Sequence, residues 1–245
     1  MPLPKLQPNG RCSTARPRAI ICHMKRLALL LVAVAIAAGA RAWFKERRNR
    51  AAFPASEAQI LLNPARRLIQ HPTSTVQAFS LKPGDTVLEL GPGPGYFTPD
   101  AAAAVAPGRQ DKSGTDFVGR VICLDLQPEM LAVLRGRMQA LGVRDDLGRV
   151  DLVAGDATRL PLRDAAFDAA YLVAVLGEVP DQQAAVHELA RILRPGGAVS
   201  FVETFTDPDY VRLTVMRRMT AAAGLHEQSW RRQVIGYTAR FTRYR

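Results

Sequence analysis

Residues 87–98, VLELGPGPGYFT, constrain the fold of this chain more than any other stretch. A short apolar run leads into three glycines at alternate positions, Gly91, Gly93 and Gly95, and then into Thr98 and Pro99 at the head of an alanine-rich segment. Glycine reaches backbone conformations closed to other residues and lets the main chain come close to a ligand. The free N–H groups of a following helix can face that ligand. The pattern predicts a strand, a tight ligand-holding loop and a helix. Its G-x-G-x-G spacing departs from the dinucleotide fingerprint G-x-G-x-x-G, which disfavours a nicotinamide-linked oxidoreductase, and it lacks the Lys-Ser/Thr of a phosphate loop.

The chain around this string alternates regularly. Apolar strands are predicted at 86–90, 120–124, 150–154, 167–176 and 198–205, with two more at about 227–235 and 237–242. Helices are predicted at 99–105, at 128–141, from an Asp181 cap to Leu193, and at 208–223. Pro195-Gly196-Gly197 reads as a turn, and the polar, glycine-rich segment 107–119 as a long surface loop. Strands alternating with helices imply βαβ units and a mostly parallel sheet; uninterrupted apolar strands such as VICLDL fit burial on both faces. Upstream, residues 45–80 read as a helical cap or linker. There Ser56 and Gln59 form a capping-box pattern, Pro64 sits in the first turn of a helix carrying Arg66 to Ile69, Pro72 ends that helix, and Thr73 or Ser74 caps a third running to Leu81.

The net charge of +11 points toward nucleic acid only until it is located. Residues 1–50 hold eleven Lys and Arg against Glu46 alone, and residues 212–245 hold eight Arg against Glu227 alone, so the body between them is acidic. An acidic body with basic ends is poor evidence for a groove that tracks phosphates, so nucleic acid is not the expected partner. The N-terminal charge flanks an uncharged apolar run, residues 27–40, LALLLVAVAIAAGA, bounded by Lys25 and Arg26 before it and by Arg41, Lys45, Arg47, Arg48 and Arg50 after it. Fourteen apolar residues are short of the roughly 20 that span a bilayer, but Trp43 and Phe44 can serve as interfacial anchors and the flanking bases can snorkel. The expectation is a basic, disordered tail at 1–23 and a hydrophobic, signal-anchor-like helix at 24–44 that tethers a cytoplasm-facing domain. Cleavage after the small residues at 38–40, a buried or interfacial helix, and an untethered cytoplasmic protein are the alternatives, and Met24 is an alternative start. The three cysteines, Cys12, Cys22 and Cys123, have no metal-ligand spacing and cannot complete a disulfide framework, so no metal is expected and the thiols read as free.

From about Leu81 to Phe205 the chain resembles the class I S-adenosylmethionine-dependent methyltransferase family, in particular members acting on small molecules and lipids. Four separated motifs carry the likeness: ELGPGPG at 89–95, VICLDLQPEML at 121–131, GDA at 155–157 followed by LPL, and LARILRPGGAVSFVE at 189–203. The resemblance implies a Rossmann-like, seven-stranded, mostly parallel sheet with helices on both faces and an antiparallel last strand, occupying residues 81–245. It implies S-adenosylmethionine as cofactor. Glu89 would hold the loop and the cofactor ammonium, and Gly91, Gly93 and Gly95 would pass under the methionine part. Asp125 would accept from the ribose hydroxyls, Leu126 would pack on the adenine, and Asp156 with the Ala157 N–H would read the adenine edge. Asp125 lies farther from the glycines than is usual in the family, and the polar loop at 107–119 accounts for the excess.

Methyl transfer from a sulfonium needs positioning above all, and a base only where the acceptor must lose a proton. No catalytic cluster stands out. Tyr96, behind the glycine loop, and Glu178, in AVLGEVPD, are the candidates for shaping the acceptor site; Tyr96 packing on the cap and Glu178 as a solvated loop acid are the bland alternatives. The Asn/Asp-Pro-Pro-aromatic motif of amino-directed nucleic-acid enzymes is missing. The acceptor is therefore expected to be a small, hydrophobic or lipid-like molecule, and the competing reading is a transfer-inactive, cofactor-binding membrane adaptor.

Overall fold

The computed structural model describes residues 52–106, 119–143 and 150–244, all within one compact unit. The basic tail, the apolar segment at 24–44 and nearly all of the polar loop at 107–119 lie outside the described residues. Among the described residues no helix is long and apolar enough to cross a membrane.

Three short helices come first: α1 (Ala58–Leu61), α2 (Arg66–Ile69) and α3 (Pro72–Ala78). Then follow β1 (Thr86–Leu90), α4 (Thr98–Val105), β2 (Arg120–Asp125), α5 (Pro128–Ala140), β3 (Val150–Ala154) and β4 (Phe167–Val173). The chain closes with α6 (Gln182–Ile192), β5 (Leu193–Thr204), α7 (Leu213–Ala222), β6 (Leu225–Gln233) and β7 (Gly236–Arg243). The seven strands form one sheet in the order β3-β2-β1-β4-β5-β7-β6. The first five are parallel, and β7 runs antiparallel between β5 and β6.

Alternate residues of the strands face opposite layers, which is why the inner strands are apolar throughout. Leu88, Leu90, Ile122 and Leu124 pack with Val186 and Leu189 of α6 and Met216 and Met219 of α7. On the other face Val87, Val121 and Cys123 pack with Val76 of α3, Ala101 and Val105 of α4, and Leu131 and Leu134 of α5. The order reverses between β1, which leads outward to β2, and β4, so a crevice opens at the carboxyl ends of these strands.

Several local expectations shift. Ser56 caps nothing: it lies inside a 3-10 turn, Ala55–Glu57, that precedes α1. Pro64 lies in the turn before α2 rather than within it. Pro72 opens α3 at its first position instead of merely ending α2, because its missing N–H is not needed there and its φ is already helical. The hydroxyls of Ser74 and Thr75 donate back to the His71 carbonyl, so neither Thr73 nor Ser74 is the cap. β4 stops at Val173 because Ala174 turns left-handed (φ 55°) and its N–H goes to the Val202 carbonyl. The expected turn at 195–197 is a bulge within β5, where Phe167 pairs with Leu193 but Ala169 already pairs with Ala198. α7 begins at Leu213 rather than 208: the Asp207 side chain takes the Asp209 N–H and Glu203 takes that of Val211, so these donors serve a loop instead of a helix. The Asp181 cap forms as expected, accepting from the Ala184 N–H at 2.9 Å.

Candidate functional site

β1 delivers the glycine loop to the crevice. Gly91, Gly93 and Gly95 all take left-handed φ values of 65°, 56° and 79°. At Gly91 a Cβ would lie 2.5 Å from Val175 Cγ2, and at Gly95 2.1 Å from Cδ1 of the fully buried Leu134. Conformation and close packing together require glycine at these two positions. The loop is pinned from β2, since Gly91 N–H donates to the Leu124 carbonyl at 2.8 Å, and from α5, whose Arg137 guanidinium donates to the Gly95 carbonyl.

Glu89 lies beneath the loop with 2% of its surface exposed. It stands between Cys123 of β2 and Tyr171 of β4 in the sheet register. The Thr98 hydroxyl, at the head of α4, donates to Glu89 Oε2 at 2.7 Å, and Cys123 Sγ lies 3.5 Å from the same oxygen. The Tyr171 hydroxyl is buried close to this carboxylate without a well-formed hydrogen bond. Burial pushes the Glu89 carboxyl up to about 7, against the pull of these donors and of Arg137. Glu89 thus ties the strand before the loop to the helix after it.

Asp125 ends β2, 9% exposed. Its carboxylate accepts from the Gln127 N–H at 2.9 Å, and the Gly93 N–H of the glycine loop also points to it. Burial raises its proton affinity and these backbone donors lower it. Beside it Leu126 is 60% exposed, an apolar surface facing outward at a strand end. Asp156 follows β3, exposed, with Oδ1 accepting from both the backbone N–H and the hydroxyl of Thr158 at 2.8 Å. It shapes its own turn, and Ala157 packs partly buried against the core beneath. The Gly155 N–H donates to the Asp125 carbonyl at 2.9 Å, so the ends of β2 and β3 are joined where these acids project.

The opposite side of the crevice joins distant parts of the chain. Residues 53–55 cross it as a strap. Gln127 Nε2 donates to the Phe53 carbonyl at 2.8 Å, Ala55 N–H donates to Gln127 Oε1 at 3.3 Å, and Phe53 N–H donates to Glu178 Oε2 at 3.0 Å. Glu178 ends the 3-10 turn after β4 and is mostly buried. Burial, reinforced by the negative charges of Asp207, Asp209 and Asp125, lifts its carboxyl to about 7 despite the Phe53 hydrogen bond. Sequence reading missed the strap and also Glu203, which is 2% exposed near the end of β5. Glu203 accepts from the Val211 N–H at 3.1 Å, and burial, with Asp207 nearby, pushes it up to about 8. An acid closing the apolar run VSFV, at a strand end like Glu89 and Asp125, was the available signal.

Tyr96 is engaged by the cap. Its hydroxyl donates to the Gln70 carbonyl at 3.3 Å, and the Arg66 guanidinium lies 4.5 Å over its ring. Leu61 of α1 meanwhile sits over Gly93, 3.4 Å from where a Cβ would be. The cap therefore closes directly on the glycine loop. No group of His, Cys, Asp and Glu that could hold a metal ion is found among the described residues.

A 3-2-1-4-5-7-6 sheet with a left-handed glycine loop and acids ending β1 and β2 defines a doubly wound fold that holds a nucleoside-bearing cofactor across its crevice. Comparison with known proteins narrows this. Residues 88–201 match the family described as the methyltransferase domain. The chain is 34% identical over 130 residues to a demethylmenaquinone methyltransferase of Bacillus cytotoxicus, covering 53% of this chain and 49% of that protein. It is 39% identical over 130 residues to the demethylmenaquinone methyltransferase of Mycolicibacterium paratuberculosis, covering 52% and 50%. An S-adenosylmethionine-dependent methyltransferase structure from Aquifex aeolicus superposes with a TM-score of 0.67 at 20% identity, covering 78% of this chain and 99% of that one. Residues 88–201, just under half of the chain, are thus similar to the class I S-adenosylmethionine-dependent methyltransferase family, whose fold the chain shares. The chain spans half or less of the length of the curated relatives it matches.

The family's cofactor is S-adenosylmethionine, and the residues present suit it. Asp125 offers a carboxylate at a strand end, Leu126 an exposed apolar side chain next to it, and the glycine loop a main chain without Cβ atoms at Gly91, Gly93 and Gly95.

Proposed function

We propose that the chain transfers a methyl group from S-adenosylmethionine to a small, hydrophobic or lipid-like acceptor, and that residues 81–245 form the transferase domain with 45–80 as its cap. The observation that carries this reading is the Asp125 carboxylate beside the Gly93 N–H in a left-handed glycine loop, at the crevice where the strand order reverses. When bound, the cofactor supplies an electrophilic methyl group on a sulfonium. Asp125 would accept from the ribose hydroxyls and Leu126 would cover the adenine, whose edge Asp156 and the Ala157 N–H would meet. Glu89 would set the loop and balance the ammonium. Gly91, Gly93 and Gly95 let the main chain lie against the methionine part.

On the acceptor side, the strap and cap shield the crevice from water, which strengthens polar interactions inside it. Glu178, with a proton affinity near neutrality, is the group suited to take a proton from an acceptor that must lose one. Tyr96, held by Gln70 and Arg66, shapes the floor under the cap rather than contacting the reacting atoms. The kinship with proteins named as quinone-pathway methyltransferases supports a hydrophobic acceptor, and the apolar run at 27–40 with its basic flank supports a tether that keeps the domain at the cytoplasmic membrane face.

Incubating the full chain with methyl-labelled cofactor and total membrane extract tests the reading. Label in an organic-soluble small molecule is expected. Cofactor binding with no labelled product from any extract would favour the transfer-inactive adaptor instead.

A further inference from the structure

The cap has two sides, and only the inner one is used by the site. Inward, Leu61 covers Gly93, and Arg66 lies over Tyr96 while donating to the Leu61 carbonyl and to Gln70. These contacts fix which side faces out. Outward, within ten residues, stand Leu68 at 89% exposure, Ile60 at 62% and Ile69 at 50%, with the exposed Arg67 among them. A single exposed apolar residue is ordinary. Three within ten residues, on two consecutive short helices whose Leu61 and Arg66 turn toward the site, form an exposed apolar patch.

From these observations we infer that the outer side of α1 and α2 docks on an anionic lipid bilayer. The chain leading into the cap selects this occupant. Ahead of it come the apolar run at 27–40 and then Arg41, Lys45, Arg47, Arg48 and Arg50 against Glu46. Such a basic stretch next to exposed Leu and Ile is the composition that binds an anionic leaflet, where apolar side chains enter the headgroup boundary and bases meet phosphates. A second copy of this chain suits the patch poorly. Three side chains on two four-residue helices fall far short of the roughly 1,200 Å² that a specific protein interface buries. Docked this way, the cap that closes on the glycine loop rests on the bilayer, and a hydrophobic acceptor reaches the crevice from the lipid beside it. The inference deepens the proposed function, but it concerns the cap and not the tether.

The experiment uses the full chain with Cys12→Ser and Cys22→Ser, leaving the buried Cys123 unreactive. An environment-sensitive dye is placed through Leu68→Cys, or through Val234→Cys as an equally exposed control at the β6–β7 turn. The vesicles are phosphatidylcholine with or without phosphatidylglycerol, and carry doxyl-labelled acyl chains. On the anionic vesicles the dye at 68 is expected to shift blue and to be quenched about twofold or more, with the dye at 234 unchanged and both effects weakened by salt. If the protein sediments with vesicles but the dye at 68 behaves like that at 234, the cap faces water and the inference falls while the tether stands. A dye at 68 that is shielded before lipid is added shows that protein covers the patch, and also overturns it. Failure to sediment with any vesicle removes the docking and the tether together.

Discussion

The two sides of the crevice are built differently. The side at β1 and β2 draws most of its parts from one short segment: Glu89, the three glycines and Thr98 lie within ten residues, locked by left-handed backbone and one buried hydrogen-bond cluster. The side at β4 and β5 is assembled from afar. Phe53 meets Glu178 across 125 residues, and the loop at 205–211 leans on Glu203. The first side is fixed by covalent proximity and steric necessity. The second is held by a few long-range hydrogen bonds to Glu178 and Glu203, which burial pushes up to about 7 and about 8.

Gly95→Ala should break the first side alone. It forces a Cβ against Leu134 at a φ that alanine avoids, and we expect about 100-fold weaker cofactor binding with a stability loss of about 2–4 kcal/mol. Glu178→Gln should leave cofactor affinity within about threefold, the scale of a mutation outside the cofactor's contacts. Calorimetric titration of both variants checks this, and equal losses would erase the distinction.

Acidity sharpens it next. Folded, Glu89, Glu178 and Glu203 hold their protons up to about 7, about 7 and about 8, against 4.5 as free side chains. Folding therefore takes up protons between about 4.5 and about 8, and stability falls as pH rises through that window. Urea unfolding should show the ligand-free protein more stable at pH 6 than at pH 8 by about 1–3 kcal/mol. Smaller still is the share of one group. Glu178→Gln removes a buried charge while keeping an oxygen for the Phe53 N–H, and should stabilise the protein at pH 8 by about 1–2 kcal/mol. That gain should shrink as pH falls from 7 toward 4.5, where the native carboxyl is protonated in the fold.

The same division decides what the sequence revealed. β1 and β3 begin and end where their apolar runs do, and the Asp181 cap forms, because each depends on neighbours in the chain. The glycine loop was legible for the same reason, and Asp125 because it follows a strand of recognisable length. The start of α7 was missed because Asp207 and Glu203 compete for the N–H groups a helix would have used, a tertiary arrangement absent from local pattern. β4 is shorter than its apolar run because Ala174 turns left-handed, which nothing local announces. The strap was invisible: Phe53, Gln127 and Glu178 carry no shared motif, and only the fold brings them together. Tyr96 was expected either to shape the acceptor site or to pack on the cap; its partners, Gln70 and Arg66, come from the packing of the cap, which no local pattern announces.

The central claim is that the crevice holds S-adenosylmethionine through Asp125. Calorimetric titration of the full chain with S-adenosylmethionine, beside Asp125→Asn shown folded by circular dichroism, tests it most directly. The account predicts saturable one-to-one binding that weakens about tenfold to 100-fold in Asp125→Asn, the loss of charge-assisted hydrogen bonds. Absence of binding at millimolar cofactor, or equal affinity in both proteins, would contradict it.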